Sequence, residues 1–333
     1  MTVAVRTVVV TGASAGLGRA VARRLAADGH RLGLLARGRA GLEAAAQEVR
    51  EAGGTALVLP CDVADADAVE AAADRVEREL GPIDVWINAA MTTVQGGVLD
   101  VTAEELRRST EVTYLGSAHG VVSALRRMVP RDRGHVVQIG SALGVRGAPL
   151  QGAYSGAKHA IRGFCDAASA DLRADGSRVR ITILSPPAMN TTHFTWVRAH
   201  TRGAPRPVPP VVQPAAVAEQ VAWVLEHPRR SRVAVDAATA VSLTVGRTDT
   251  PVVGRVVGAV IRRGLQTRAA LRPRPDALFA PLDDDEDHGV EGPFGRESRS
   301  RIVEAPIVRR PVLSGAVALA TAGAALAVRR GRG

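Results

Sequence analysis

Read for the placement of apolar and polar positions, the chain alternates between two patterns. Short, almost continuous apolar runs occupy Thr7–Thr11, Arg31–Ala36, Ala56–Leu59, Ile83–Asn88, His135–Ile139, Val179–Leu184 and Arg232–Asp236. Their length, their β-branched content and the turn residues around them predict buried strands. Between them lie amphipathic or alanine-rich stretches near Leu17–Asp28, Arg39–Ala52, Asp65–Leu80, Ala103–Met128, Ala153–Ala174 and Pro214–Glu226, which predict helices. Strand and helix in strict alternation imply an α/β fold: a doubly wound parallel sheet of about seven strands, helices on both faces, and a ligand at the carboxyl ends of the strands.

Two segments break the rhythm. Residues 186–214 are rich in Pro and Thr and carry His193, Phe194 and Trp196, as a lid over a site does. After about Gln266 the composition changes. Leu271–Pro281 is Pro/Arg-rich, Asp283–Asp287 is an unbroken acidic run, and Gly, Pro, Ser and Arg follow to Pro311. The expectation is a catalytic domain over 1–266 and a disordered linker over 267–311. Val312–Val328 then carry no charge and are flanked by arginines. A helix there would be about 25 Å long, a little short of a ~30 Å hydrocarbon core, so 312–328 is expected to be an apolar helix, either a membrane anchor or interfacial helix, or one that docks on protein or stays soluble.

At 333 residues, one large domain with an appendage is the natural count. Aromatics make up only 3% of the chain, so the core has to be built from Ala, Val and Leu. The net charge is +10, but the cations are spread along the chain with no basic module interleaved with aromatics; nucleic acid is not an expected partner. Two cysteines, Cys61 and Cys165, make no disulfide framework, and the first strand follows Met1 too closely for a signal peptide; a cytoplasmic protein is expected. The histidines show no metal-ligand spacing, so no metal is expected.

The chemistry concentrates in two places. Lys158 is the single lysine in a chain of 42 arginines, and it stands four residues after Tyr154, one of two tyrosines. That spacing puts both on one helix face. An ammonium is a compact charge that guanidinium does not imitate, and beside a phenol it favours the phenolate, making the phenol a usable acid/base. Near the N-terminus, Thr11-Gly12-Ala13-Ser14-Ala15-Gly16-Leu17-Gly18 joins the first strand to the first helix. Such a turn binds a diphosphate on exposed backbone N–H groups.

Together with Ser141, the T-G-x-x-x-G-x-G turn and Tyr154-x-x-x-Lys158 resemble the short-chain dehydrogenase/reductase family over about residues 5–240. The resemblance implies a Rossmann fold and hydride transfer between a nicotinamide and a small-molecule carbonyl/alcohol. It implies Ser141 holding the substrate oxygen, Tyr154 as acid/base, and Lys158 lowering the Tyr154 pKa and binding the nicotinamide ribose. Thr113 stands where the family commonly has an Asn that orders a relay water. On the cofactor side it implies Gly12, Ser14, Gly16, Leu17 and Gly18 at the diphosphate, Asp62 and Val63 at the adenine, and Asn88 in the cofactor wall. Pro186 and Thr191 would flank the nicotinamide, although Pro187 replaces the usual Gly. Arg37 ends the second strand where an NAD site normally has an acid; an arginine suits a 2′-phosphate, so NADP(H) is favoured over NAD(H), with Arg19 and Arg39 as helpers.

Leu143, His193, Phe194 and Trp196 are candidate substrate contacts, with Val145, Leu150 and Met189 completing an apolar pocket. The family also implies a homo-oligomer formed through the helices at 103–128 and 153–174. The alternative functions are a non-catalytic NADP(H)-binding regulator or membrane-tethered scaffold, and an isomerase or dehydratase on the same fold.

Overall fold

β-branched and leucine-rich runs that no water reaches must pair all their backbone groups, and here they do so in one parallel sheet. The structure, a computed structural model, describes residues 4–245 and 251–302. The first half runs β1 (Thr7–Thr11), α1 (Gly16–Ala26), β2 (Arg31–Ala36), α2 (Arg39–Glu51), β3 (Thr55–Pro60), α3 (Ala66–Leu80) and β4 (Val85–Asn88). A short β5 (Val94–Gly96) precedes α4 (Ala103–Thr110), a single π-helical turn (Glu111–Leu115) and α5 (Gly116–Met128). Then follow β6 (His135–Ile139), α6 (Gly152–Ala174) and β7 (Arg180–Ser185). The helix expected over Ala103–Met128 is thus a helix with one wide turn in it. α3 and α4 start on N-caps: Asp65 accepts from Asp67 N–H and Ala68 N–H, and Thr102 and Glu105 form a reciprocal capping box.

The long insertion holds β8 (Ala188–Met189), α7 (His193–Trp196), β9 (Arg198–His200), β10 (Gly203–Pro205) and β11 (Val211–Val212). It leads into α8 (Pro214–Glu226), β12 (Arg232–Ala234), α9 (Ala237–Val245), α10 (Pro251–Gly264), β13 (Gln266–Ala270) and β14 (Ser298–Arg299). The main sheet has seven parallel strands in the order β12-β7-β6-β4-β1-β2-β3. The order reverses between β1 and β4, and their carboxyl ends part there to open a crevice. Two cores flank the sheet. One packs β1, β2, α1, α2 and α8; the other packs α3, α5 and α6 on the opposite face, around Trp86, which is fully buried. Small side chains permit the close approach: a Cβ on Gly33 of β2 would meet Val76 Cγ2 at 2.5 Å. The aromatic-poor composition is therefore a packing solution in which helices lie near the sheet.

One expectation fails over most of its range. Residues 267–302, whose composition reads as disordered linker, are folded. β13 pairs with β10 and β14 with β11, both within the insertion. Between them, residues 271–297 form a strap that crosses the carboxyl edge of the sheet. Its acidic run is anchored although four of its five residues are exposed: Arg39 N–H and Ala40 N–H, at the start of α2, donate to Asp284, Gly41 N–H donates to Asp283 O, and the buried Arg19 guanidinium pairs with Asp287 and Glu48. Backbone N–H groups of α2 and the Arg19 guanidinium, far away in the sequence and invisible to local composition, hold it. The apolar stretch 312–328 lies outside the described residues. Among the described residues, no helix is long and apolar enough to cross a membrane.

Candidate active site

A cavity of about 490 Å³ lies at the carboxyl ends of β1, β4, β6 and β7, between the sheet, the insertion and the strap. Its floor begins at the glycine-rich turn. Gly12 has φ +67°, and a Cβ on Gly18 would overlap the Gly12 carbonyl oxygen. The turn therefore needs glycine at both places to fold the chain onto the N-terminus of α1. Ser14, Gly16, Leu17, Val63, Pro186 and Thr191 line the cavity with them, as expected. Gly16 N–H is capped by Gly289 O of the strap. The cradle and the free space above it fit a nicotinamide dinucleotide: a glycine turn clear of side chains at a helix N-terminus suits a diphosphate, with Gly16 N–H already held by the strap.

Other cofactor-side residues are placed differently from expectation. Asn88 is buried beneath the wall and braces α5 on β4: its amide donates to Ser117 O, and its carbonyl accepts from Trp86 Nε1 at 2.8 Å. Asp62 lines the cavity, but its carboxylate is committed to Ala64 N–H and to an ion pair with Arg108. Arg37 also lines the cavity, while its terminal nitrogens donate to Phe279 O at 2.9 Å and Ala277 O at 2.6 Å. Arg19, expected as a helper at a 2′-phosphate, is tied to Glu48 and Asp287 instead.

Ser141, Tyr154 and Lys158 converge. Ser141 follows β6 and caps the turn after it, accepting from Leu143 N–H at 3.1 Å. Tyr154 and Lys158 sit one turn apart on α6, and the Tyr154 hydroxyl is hydrogen-bonded to Ser141. Lys158 Nζ donates to Ile139 O at 2.8 Å and lies 5.5 Å from the centre of the Tyr154 ring. Burial pushes the Tyr154 phenol up, and the Ser141 hydrogen bond pulls it back down. The lowering of Tyr154 by Lys158 that the sequence suggested is not what governs the phenol here. Burial also pushes Lys158 down to about 8, so near neutrality it is mostly charged. Thr113 does not reach the cavity. It lies in the π-helical turn, accepts from Thr92 N–H at 3.0 Å and donates to Thr92 O at 2.6 Å. Its donor proton and one acceptor site are used to clasp the loop after β4, away from the cavity where a relay water would stand.

On the substrate side, Leu143, Met189, His193, Phe194 and Trp196 face the cavity; Val145 and Leu150 do not. Leu150 is buried at φ +63°, turned away by the bend that starts α6. Burial lowers His193 to about 4, so it stands neutral as an uncharged contact. Phe194 packs edge-on against Phe294 and Trp196 against His288, so strap side chains support the lid. Sequence reasoning missed Met91, Gln151, Val208, Leu265 and Ala277 in the wall. The Pro-rich run at 205–210 was a signal for Val208; nothing local marks Ala277.

A family model described as short chain dehydrogenase matches residues 6–202. The chain is 27% identical over 321 residues to YxnA, an uncharacterized oxidoreductase of Bacillus subtilis strain 168, across 95% of this chain and 90% of that protein. An alcohol dehydrogenase from the archaeon Thermococcus sibiricus, complexed with 5-hydroxy-NADP, is 28% identical with a TM-score of 0.59, over 69% of this chain and 96% of that one. A short chain dehydrogenase/reductase from Burkholderia phymatum in complex with NAD has a TM-score of 0.66 over 81% of this chain and all of that one. At 22% identity the last likeness speaks for the fold alone.

Proposed function

Because the chain belongs to the short chain dehydrogenase family of NAD(P)-dependent oxidoreductases, we propose that it interconverts an apolar ketone or aldehyde and its alcohol, with Ser141, Tyr154 and Lys158 as the reacting group. The observation that carries this is their convergence on one wall of the cavity that the glycine-rich turn floors. When bound, the nicotinamide supplies or accepts the hydride. The residues do the rest. The Ser141 hydroxyl holds the substrate oxygen beside Tyr154. Burial keeps the Tyr154 phenol protonated, a donor ready for a carbonyl oxygen. The Lys158 ammonium, close to the ring, then favours the phenolate left behind. In the oxidative direction the same proton returns to Tyr154.

Leu143, Met189, Phe194 and Trp196 offer the carbonyl's substituents apolar surface, which supports a hydrophobic substrate. The Arg37 side chain is what favoured NADP(H), but its two carbonyl partners leave that choice to the strap. We take the oligomeric contact to lie on α5. Val122 is exposed there, with Leu115 of the preceding π-helical turn and Val129 just past its end also exposed at two-turn spacing, where a second copy would cover them.

The test offers NADH and NADPH in turn with a panel of apolar ketones and aldehydes, following absorbance of the reduced nicotinamide. Tyr154→Phe should lower kcat by about 10²–10⁴-fold, the share of a positioned general acid. Turnover that survives the substitution would sink the assignment of Tyr154.

A further inference from the structure

The strap brings one carboxylate to the adenosine end of the cavity. Asp283 is 7% exposed and lines the cavity with Ser14 and Arg37. It lies on the turn between β2 and α2: a Cβ on Gly38 would overlap its carboxylate, and one on Gly41 would meet Asp283 Oδ2 at 2.8 Å and Ser14 Cβ at 3.0 Å. Among the described residues, no side chain or N–H donates to this carboxylate. It is a buried acceptor with its capacity unspent, aimed into a cavity built for a dinucleotide.

The donors that a phosphate would need at this turn are engaged. Arg39 N–H donates to Asp284 Oδ1 at 3.0 Å, Ala40 N–H to Asp284 O at 3.0 Å and Gly41 N–H to Asp283 O at 2.9 Å. These N–H groups form the helix N-terminus that elsewhere holds an anion. Arg37 gives both terminal nitrogens to strap carbonyls, and Arg108 gives its charge to Asp62. A 2′-phosphate entering here meets two aspartates and engaged donors. A 2′-hydroxyl meets a free carboxylate, to which it can donate.

We propose that Asp283 is a specificity-determining residue, accepting the adenosine-ribose 2′-hydroxyl and turning away a 2′-phosphate, so that this chain prefers NAD(H) to NADP(H). This rests on the nicotinamide-dependent reading above and reverses the preference that Arg37 alone suggests. An acid at this subsite ordinarily comes from the end of the second strand; here it arrives from a segment far along the chain.

Equilibrium binding to the full chain decides it, with NADH and NADPH titrated separately and nicotinamide fluorescence or calorimetric heat as the readout. The wild-type protein should bind NADH at least about tenfold more tightly than NADPH, the worth of one charge-assisted hydrogen bond. Asp283→Asn removes the charge but keeps an acceptor; it should tighten NADPH about tenfold and move NADH by less than about threefold. Asp283→Ala removes both and should weaken NADH about tenfold. NADPH bound as tightly as NADH by the wild type would overturn the proposal, because the strap then yields to Arg37 and Arg39. An NADH/NADPH ratio unchanged in both variants would overturn it as well. If the wild type bound neither cofactor, the nicotinamide reading itself would fall, which is a different result from a wrong preference.

Discussion

Lys158 shows how a single residue can be read correctly for position and incompletely for physics. A lone lysine among arginines, four after a tyrosine, marks the site without any structure. The direction of the neighbouring Tyr154 shift is not legible, because it depends on how much protein covers the phenol. The same cover acts on the lysine, whose pKa falls from its ordinary 10.5 to about 8. The unfolded chain then holds more protons than the folded one between those values. This contribution to stability therefore rises with pH across that window and is fully unfavourable below it. Lys158→Met should accordingly unfold at higher urea than wild type at pH 7, by up to about 3 kcal/mol, less what the lost bond to Ile139 O costs. The gap should close as pH approaches 10.5, while turnover falls. A gap that does not depend on pH would show that the buried ammonium is not its source. Ser141 and the glycines were equally legible; Asn88 and Thr113 were legible as positions, but their partners Trp86 and Thr92 show them to be braces.

At the scale of elements, the lid and the strap are joined at Glu105. This carboxylate, 4% exposed, caps α4 and accepts from His200 Nε2 at 2.9 Å and Arg198 at 3.3 Å. Arg198 continues to Asp276 of the strap at 2.9 Å. Burial alone would push Glu105 up, but Thr102 N–H, His200 and Arg198 together bring it below the usual carboxylate range. Glu105→Ala breaks the cap and leaves Arg198 and His200 facing a void. The expected loss is about 3 kcal/mol in urea unfolding. Substrate KM should rise more than kcat falls, because β9 and the lid loosen while Tyr154 stays in place. Hydrogen exchange confined to α4, with the lid unaffected, would contradict this linkage. None of it was legible from sequence, because the partners of Glu105 at 198 and 200, and the onward link to 276, are brought in by the tertiary fold.

The whole molecule was the easiest scale to read. Apolar runs alternating with amphipathic ones predicted seven strands, and seven parallel strands form the sheet, with ends displaced by one or two residues at most of them. Period and burial are local properties, so they survive translation into structure. The strap was misread because its order comes from distant partners, β10, β11, the start of α2 and Arg19, and composition alone registers only its polarity. The exposed Leu115 of the π-helical turn and Val122 of α5 belong to this scale too. If the proposed oligomer forms through this face, Leu115→Glu with Val122→Glu should convert it to monomer in sedimentation velocity, leaving the circular dichroism spectrum unchanged. An unchanged sedimentation coefficient would place the contact elsewhere.

The pairing of Gly16 with Gly289 and of Arg19 with Asp287 also bears on how the protein is made. The glycine-rich turn leaves the ribosome well before the residues that cover it, which lie about 270 positions further along the chain. A chain growing at about 5–20 residues per second can assemble its sheet in order from the N-terminal side. Throughout that time the Arg19 guanidinium has Glu48 but lacks its second carboxylate. The nucleotide cradle is begun first and finished late, so an interrupted translation product keeps the sheet yet lacks the roof over its binding turn.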